Sequence, residues 1–273
     1  MRRKLLCGLG VLVLLTLWLI RGNSALQVST FVVESEKIPP AFDGLRIAQV
    51  SDLHNAGFWE KVVQALEEEE PDLIVLTGDL IDSSRTDVAA ALAFAQRAAE
   101  IAPCYYVSGN HEAWSPGAWD DLQTGLLDAG IVLLEDAKTA ITREEQTVLL
   151  MGLRDPVFGS DPEAVLRQLT AGEEGYTILL SHRPERFDLY VRAGIDLVFS
   201  GHAHGGQFRI PFVGGLIAPD QGFFPEYDAG HYVRTGTAML VSRGIGNSII
   251  PLRIYNRPEV VVAELKVSVG ISG

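Results

Sequence analysis

Cysteine is nearly absent: Cys7 and Cys104 are the only two in 273 residues. Cys7 lies in an N-terminal apolar run and Cys104 just before a strand-like segment. They indicate neither a disulfide framework nor a paired Cys-x-x-Cys metal site, and they leave the redox compartment unspecified. Basic clusters are missing as well. No long Lys/Arg run follows the first few residues, and 22 Lys and Arg face 35 Asp and Glu, for a net charge of −13. Nucleic-acid backbones are gripped by clustered cations, so this balance argues against them as the main partner. It leaves phosphate groups open, because bound divalent ions reverse the local field of an acidic protein. Internal repeats and low-complexity tracts are lacking too, apart from four glutamates at residues 67–70 that read as a solvated helix end. With 47 % hydrophobic and 21 % charged residues, the chain can bury a large core without staples and is compatible with one large α/β domain.

One long apolar run does occur, at residues 5–20, between Arg2-Arg3-Lys4 and Arg21. A cationic start followed by such a run is a membrane-targeting segment rather than part of the fold. Snorkelling by the flanking cations can extend its slightly short length across a bilayer. Three cationic side chains precede it and one follows, which favours an N-inside orientation. The expectation is a membrane anchor at residues 1–25 with the catalytic domain on the extracytoplasmic face, a cleaved, secreted form being the alternative. Residues 26–44 read as a linker and first strand, and 45–273 as the main domain.

From residue 45 onwards, short β-prone runs alternate with helical periodicity, the signature of βαβ units and a largely parallel sheet. Residues 139–150 read as a hairpin, and the Gly-rich, β-branched C-terminal stretch predicts a second sheet packed on the first. Five polar clusters stand out on this frame: Asp52-Leu53-His54, Gly78-Asp79, Gly109-Asn110-His111-Glu112, Ser181-His182 and Gly201-His202-Ala203-His204. They follow apolar strands, and loops at the carboxyl ends of strands form the ligand crevice of an open α/β sheet. Asp and His donors suit first-row divalent ions, with Mn²⁺ placed first and Fe²⁺ or Zn²⁺ also fitting, rather than Ca²⁺. Taken singly, each cluster is an ordinary turn, cap or core histidine; their joint order is what points to a site. His231 stands outside any such motif and reads as structural.

The set D-x-H, G-D, G-N-H-E, H and G-H-x-H resembles the calcineurin-like metallophosphoesterase superfamily over residues 45 to the C-terminus. The resemblance implies a four-layer α/β/β/α sandwich of two mixed sheets flanked by helices. It implies that Asp52, His54 and His204 bind one metal ion and Asn110, His182 and His202 a second, with Asp79 bridging. His111 is implied as the catalytic residue that contacts phosphate, supported by Glu112, and a metal-bound hydroxide as the nucleophile. The sequence departs from Ser/Thr protein phosphatases, which carry an arginine where Ser83 stands, and from purple acid phosphatases, which carry a tyrosine ligand where Asp82 stands.

Ser181-His182-Arg183-Pro184-Glu185 and Gly201 to Gln207 look most like a bacterial membrane-associated branch of phosphodiesterases and UDP-2,3-diacylglucosamine hydrolases. The expected activity is hydrolysis of a phosphodiester, a pyrophosphate or a lipid-linked phosphate. The competing readings are a non-catalytic metal-binding interaction protein on the same fold and a nuclease. Arg183 and Arg243 are candidates to hold substrate phosphate. The aromatics of residues 208–227 are candidates for an apolar rim. Oligomeric state is not readable from the sequence.

Overall fold

The computed structural model describes residues 10, 12, 14, 16, 19–247 and 250–268. Its elements run β1 (Gln27–Ser35), β2 (Arg46–Val50), α1 (Trp59–Glu69), β3 (Leu73–Thr77), α2 (Val88–Ile101), β4 (Cys104–Val107), α3 (Asn110–Ala113), α4 (Pro116–Asp128), β5 (Val132–Leu133), β6 (Ala137–Arg143), β7 (Gln146–Gly152), α5 (Pro162–Leu169), β8 (Thr177–Leu180), α6 (Phe187–Arg192) and β9 (Leu197–Ser200). Two small hairpins follow, β10 (Arg209–Ile210) with β11 (Gly214–Gly215) and β12 (Ile217–Ala218) with β13 (Gly222–Phe223). The chain closes with β14 (Gly230–Arg234), β15 (Thr237–Val241) and β16 (Glu259–Val267).

Two six-stranded sheets result, ordered β1-β16-β2-β3-β4-β5 and β14-β15-β9-β8-β7-β6. In the first, β2 to β5 are parallel, as the βαβ alternation predicts. The exception is β16, which inserts between β1 and β2, parallel to the former and antiparallel to the latter. The second sheet is parallel from β7 through β8 and β9 to β15, with antiparallel β6 and β14 at its edges. The hairpin of β6 and β7 turns on Glu144 and Glu145, both at positive φ (46° and 66°), the twist that suits a two-residue connection.

Side-chain alternation along the strands builds the layers. Ile47, Val75, Ile178, Leu180, Leu197 and Phe199 point between the sheets. Ala48, Val50, Ile74 and Leu76 face outward onto α1, α2 and α4. Leu179, Val198 and Met239 face α5 and α6 on the opposite side. Three apolar cores therefore separate four layers, helix–sheet–sheet–helix. Because β3, β8 and β9 are covered on both faces, every residue in them is buried, which is why they read as continuous apolar runs. The acid run at residues 67–70 ends α1, with Glu70 in the left-handed region; Arg46 pairs with Glu69 at 2.6 Å and Arg97 with Glu67 at 3.3 Å.

The expectation of a membrane-anchored domain on the extracytoplasmic face is corrected here. Among the described residues no helix is long and apolar enough to cross a membrane. Most of the apolar run at residues 5–20 lies outside the described residues. Residues 19–24 form a described helical piece. Asn23 in this piece exchanges side-chain hydrogen bonds with the backbone of Arg253, donating at 3.1 Å and accepting at 2.6 Å.

Candidate metal centre

The carboxyl ends of β2, β3, β4, β8 and β9 meet where the two sheets face one another, and each delivers one polar cluster. The sheets are tied together at this edge by Gln49, whose amide donates to Thr77 Oγ1 and, across the interface, to the Ser200 carbonyl, both at 2.8 Å. Beyond the strands the backbone turns sharply. Asp52, His54, Asp79, His202 and His204 all sit at positive φ, between 44° and 63°. For non-glycine residues this is a strained conformation, concentrated where surrounding structure enforces it.

The result is a buried constellation. His54 Nε2 lies 3.3 Å from His204 Nε2 and 3.6 Å from Asp79 Oδ2, and His204 Nε2 lies 3.4 Å from Asp52 Oδ1. On the other side His182 Nε2 is 3.1 Å from Asp79 Oδ2, 3.2 Å from Asn110 Oδ1 and 3.2 Å from His202 Nδ1. Of four groups with converging ligand atoms among the described residues, Asp52/His54/Asp79/His204 and Asp79/His182/His202 share Asp79, and His54/Asp82/His111 and Glu185/His202/Asp220 flank them. Asp79 is placed between them by its other oxygen, which accepts the His111 backbone N–H at 2.9 Å. Asp52 is held likewise by the His202 backbone N–H, at 3.1 and 3.2 Å. His182 is oriented by its Nδ1, 2.8 Å from the Thr77 carbonyl.

Electrostatics fit the same picture. Burial pushes His54 down to about 3 and His202 to about 4, and holds His204 well below the usual range. These three imidazoles are therefore neutral and carry lone pairs, the form that binds cations. Burial opposes charge on His182 too, but the Asp79 carboxylate beside it wins and pushes it up to about 10. Burial works to raise Asp79, yet His182 and His54 hold it well below the ordinary carboxylate range. Burial, with Asp79 assisting, raises Asp52 to about 6. A pocket packed with buried imidazole nitrogens and carboxylates at such separations is costly to fold around nothing. The donor set fits divalent cations.

Glycine makes room for it. Gly109 has an ordinary extended backbone (φ −109°), yet a Cβ there would lie 2.2 Å from Asp79 Oδ1. At Gly201 an added Cβ would fall 1.8 Å from Ser51 Oγ and 2.5 Å from Asp52 Oδ2.

His111 stands beside these groups. Its Nδ1 accepts the Ser83 backbone N–H at 3.0 Å, so the neutral ring carries its proton on Nε2 and is a donor there. Its ring meets His54 edge-on at 4.4 Å between centroids. Glu112 gathers backbone: its carboxylate accepts N–H bonds from Gly109 and Asp79 at 2.8 Å and from Ile81 at 3.2 Å. Burial and the Asp79 charge push it up to about 8 against those three donors.

The two arginines singled out as phosphate contacts lie differently. Arg183 is buried and bidentate to Asp155 (2.6 and 3.1 Å), and also pairs with Asp220. Arg243 turns toward Glu259, 3.7 Å away, and lines a cavity of about 300 Å³ with Arg21, Gln27 and Arg257. A separate cavity of about 430 Å³ opens on His54 and is lined by Asn55, Phe58, Arg85, Asn247 and Pro251.

Three contributors escaped the sequence. Asp220 contacts His202, Asp155 anchors Arg183, and Arg253 is fully buried, donating to the carbonyls of Arg243 and Gly246 in the loop that covers Asp52. None carries a local motif. Of the aromatics at residues 208–227, Phe212, Phe223 and Phe224 are exposed, whereas Phe208 is half-buried and Tyr227 buried.

Comparisons with known proteins point to one family and one fold. A family model described as calcineurin-like phosphoesterase matches residues 45–206. YkuE of Bacillus subtilis (strain 168), an uncharacterized metallophosphoesterase, is 30 % identical over 252 residues, 88 % of this chain and 86 % of that protein. Phosphodiesterase YaeI of Escherichia coli (strain K12) is 33 % identical over 209 residues, 72 % of each. Among solved structures, the phosphopantetheinyl hydrolase PptH from Mycobacterium tuberculosis shares the fold, with a TM-score of 0.50 at 14 % identity, over 74 % of this chain and 91 % of that one.

Proposed function

The chain belongs to the calcineurin-like phosphoesterase family, a hydrolase acting on phosphoester bonds, and from that premise we propose a two-metal mechanism and a residue assignment. Asp52, His54 and His204 would hold one divalent ion and Asn110, His182 and His202 the other, with Asp79 bridging. The observation that carries this reading is the pair of converging donor groups that share Asp79. Imidazole and carboxylate donors suit Mn²⁺, with Fe²⁺ or Zn²⁺ as alternatives. Two such ions supply Lewis-acid stabilisation of a phosphoryl group and lower the pKa of coordinated water.

The chain's own residues do the rest. His111, with Nε2–H as donor, is positioned to hydrogen-bond a phosphoryl oxygen or protonate the leaving oxygen. Glu112 fixes the backbone that presents both Asp79 and His111. The cavity beside His54 is the substrate mouth in this reading, and Arg85, which lines it together with Asp87, offers its charge to an anionic substrate. The exposed Phe223 and Phe224 lie on the loop that brings Asp220 to the cluster, and favour a substrate with an apolar portion. Phosphodiesters, nucleotide pyrophosphates and lipid-linked phosphates are the classes to be distinguished.

The test is hydrolysis by the full chain of bis(p-nitrophenyl) phosphate, p-nitrophenyl phosphate and a nucleotide diphosphate ester, with Mn²⁺ and with EDTA. Mn²⁺-dependent cleavage of at least one, abolished by EDTA, is expected. Equal turnover in EDTA, or no turnover of any of the three, would contradict the assignment.

A further inference from the structure

One contact at the cluster is unexplained by the ligand assignment. His202 directs Nδ1 at His182 Nε2 (3.2 Å), inside the group containing Asp79. Its other nitrogen, Nε2, faces away and meets Asp220 Oδ2 at 2.9 Å and Arg183 Nη1 at 2.9 Å. If Nδ1 is to offer a lone pair to a cation, the ring proton must sit on Nε2. A guanidinium has no acceptor, so of these two neighbours Asp220 alone can take that hydrogen bond.

The surrounding structure is built to deliver this carboxylate. Asp220 occupies the turn between β12 and β13 at φ 57°, a strained position for a non-glycine residue. The next residue, Gln221, is clamped on both sides by the backbone of Tyr227, at 2.9 Å in each direction. Arg183, locked by Asp155, braces Asp220 from the other side. An otherwise exposed loop thus aims one carboxylate at the outer edge of a buried imidazole.

We propose that Asp220 is a positioning residue for the metal centre: it accepts the Nε2–H of His202, fixes the tautomer in which Nδ1 faces the Asp79/His182 group, and so sets the affinity of the ion held there. The inference rests on the two-metal reading above. Carboxylate partners of ligating histidines typically change metal affinity 10- to 100-fold when removed. Arg183 is therefore a brace for this pair, and its charge is spent on Asp155 and Asp220.

Mn²⁺ titration of the full chain by calorimetry, with electron paramagnetic resonance of bound Mn²⁺, tests it. Parent protein should bind two ions. Asp220→Asn and Asp220→Ala should bind one ion with parent affinity and the second about 10- to 100-fold more weakly, with unchanged melting temperature in EDTA. Asp220→Glu should recover most of the loss. Parent-like binding of both ions by Asp220→Ala, or equal weakening of both, would overturn the proposal while leaving the two-metal centre standing. A parent protein that binds fewer than two ions would remove both.

Discussion

Replacing Gly109 by alanine isolates the geometry of the bridge from the chemistry of its ligands. Gly109 has φ −109° and ψ −170°, an extended conformation open to any residue, so alanine costs nothing in backbone strain. What it adds is a methyl 2.2 Å from Asp79 Oδ1, where ordinary contact begins at 3.4 Å. Relief requires the carboxylate or the Asn110 loop to move by about 1.2 Å. The oxygen displaced is the one that receives the His111 N–H, so the bridge and the neighbouring histidine move together. A misplacement near 1 Å at a reacting centre costs on the order of 10²-fold in rate, about 2.7 kcal/mol of transition-state stabilisation. Gly109→Ala should therefore lose on the order of 10²-fold in kcat/KM and bind the shared-site metals less tightly. Gly117→Ala, where a new methyl meets nothing within 4 Å, should keep parent activity. The assay is Mn²⁺-dependent phosphodiester hydrolysis, with circular dichroism to verify folding. Gly109→Ala with activity within twofold of the parent and two bound ions would refute the placement of Asp79.

His111→Gln should lose about 10²- to 10⁴-fold in kcat while retaining its metal content, measured by elemental analysis; loss of metal would assign His111 a ligand role instead. Metal-free protein should lose thermal stability as pH rises above about 6.5. His182 holds its proton up to about 10 and Glu112 up to about 8. In that window the folded state therefore binds more protons than the unfolded chain, and stability falls with pH. The buried neutral histidines His54 and His202, lowered to about 3 and 4, act oppositely but only below about 6.5. A melting curve in EDTA that stays flat or rises between pH 7 and 9 would contradict this. Saturating Mn²⁺ should blunt the pH dependence, because the cation takes the place of the proton.

Much of the fold was legible because its signals are local. Strand-end placement of Asp52, Asp79, Asn110, His182 and His202 followed from apolar runs that stop at a turn. The βαβ alternation foretold the parallel strands β2 to β5. The hairpin at β6 and β7 was visible in its flanking residues. What escaped the sequence is non-local. The C-terminal β16 inserts between β1 and β2, parallel to β1 and antiparallel to β2, and strand partnership across more than 200 residues leaves no periodicity to read. Positive φ at Asp52, Asp79 and His204 is invisible because these are not glycines. Asp220 and Arg253 are ordinary residues in irregular loops, and only the folded chain brings one against His202 and the other over the loop beside Asp52. Arg183 was legible as an arginine next to a histidine, but its commitment to Asp155 depended on a loop 28 residues upstream.

Metal stoichiometry of the parent chain and of Asp79→Asn tests the central claim most directly. Equilibrium dialysis against Mn²⁺, read by elemental analysis, should give two ions per chain for the parent. Asp79→Asn should retain fewer than two and lose phosphoester hydrolysis with them. A parent that saturates at one ion, or an Asp79→Asn variant that binds two and hydrolyses at the parent rate, would contradict a centre bridged by Asp79.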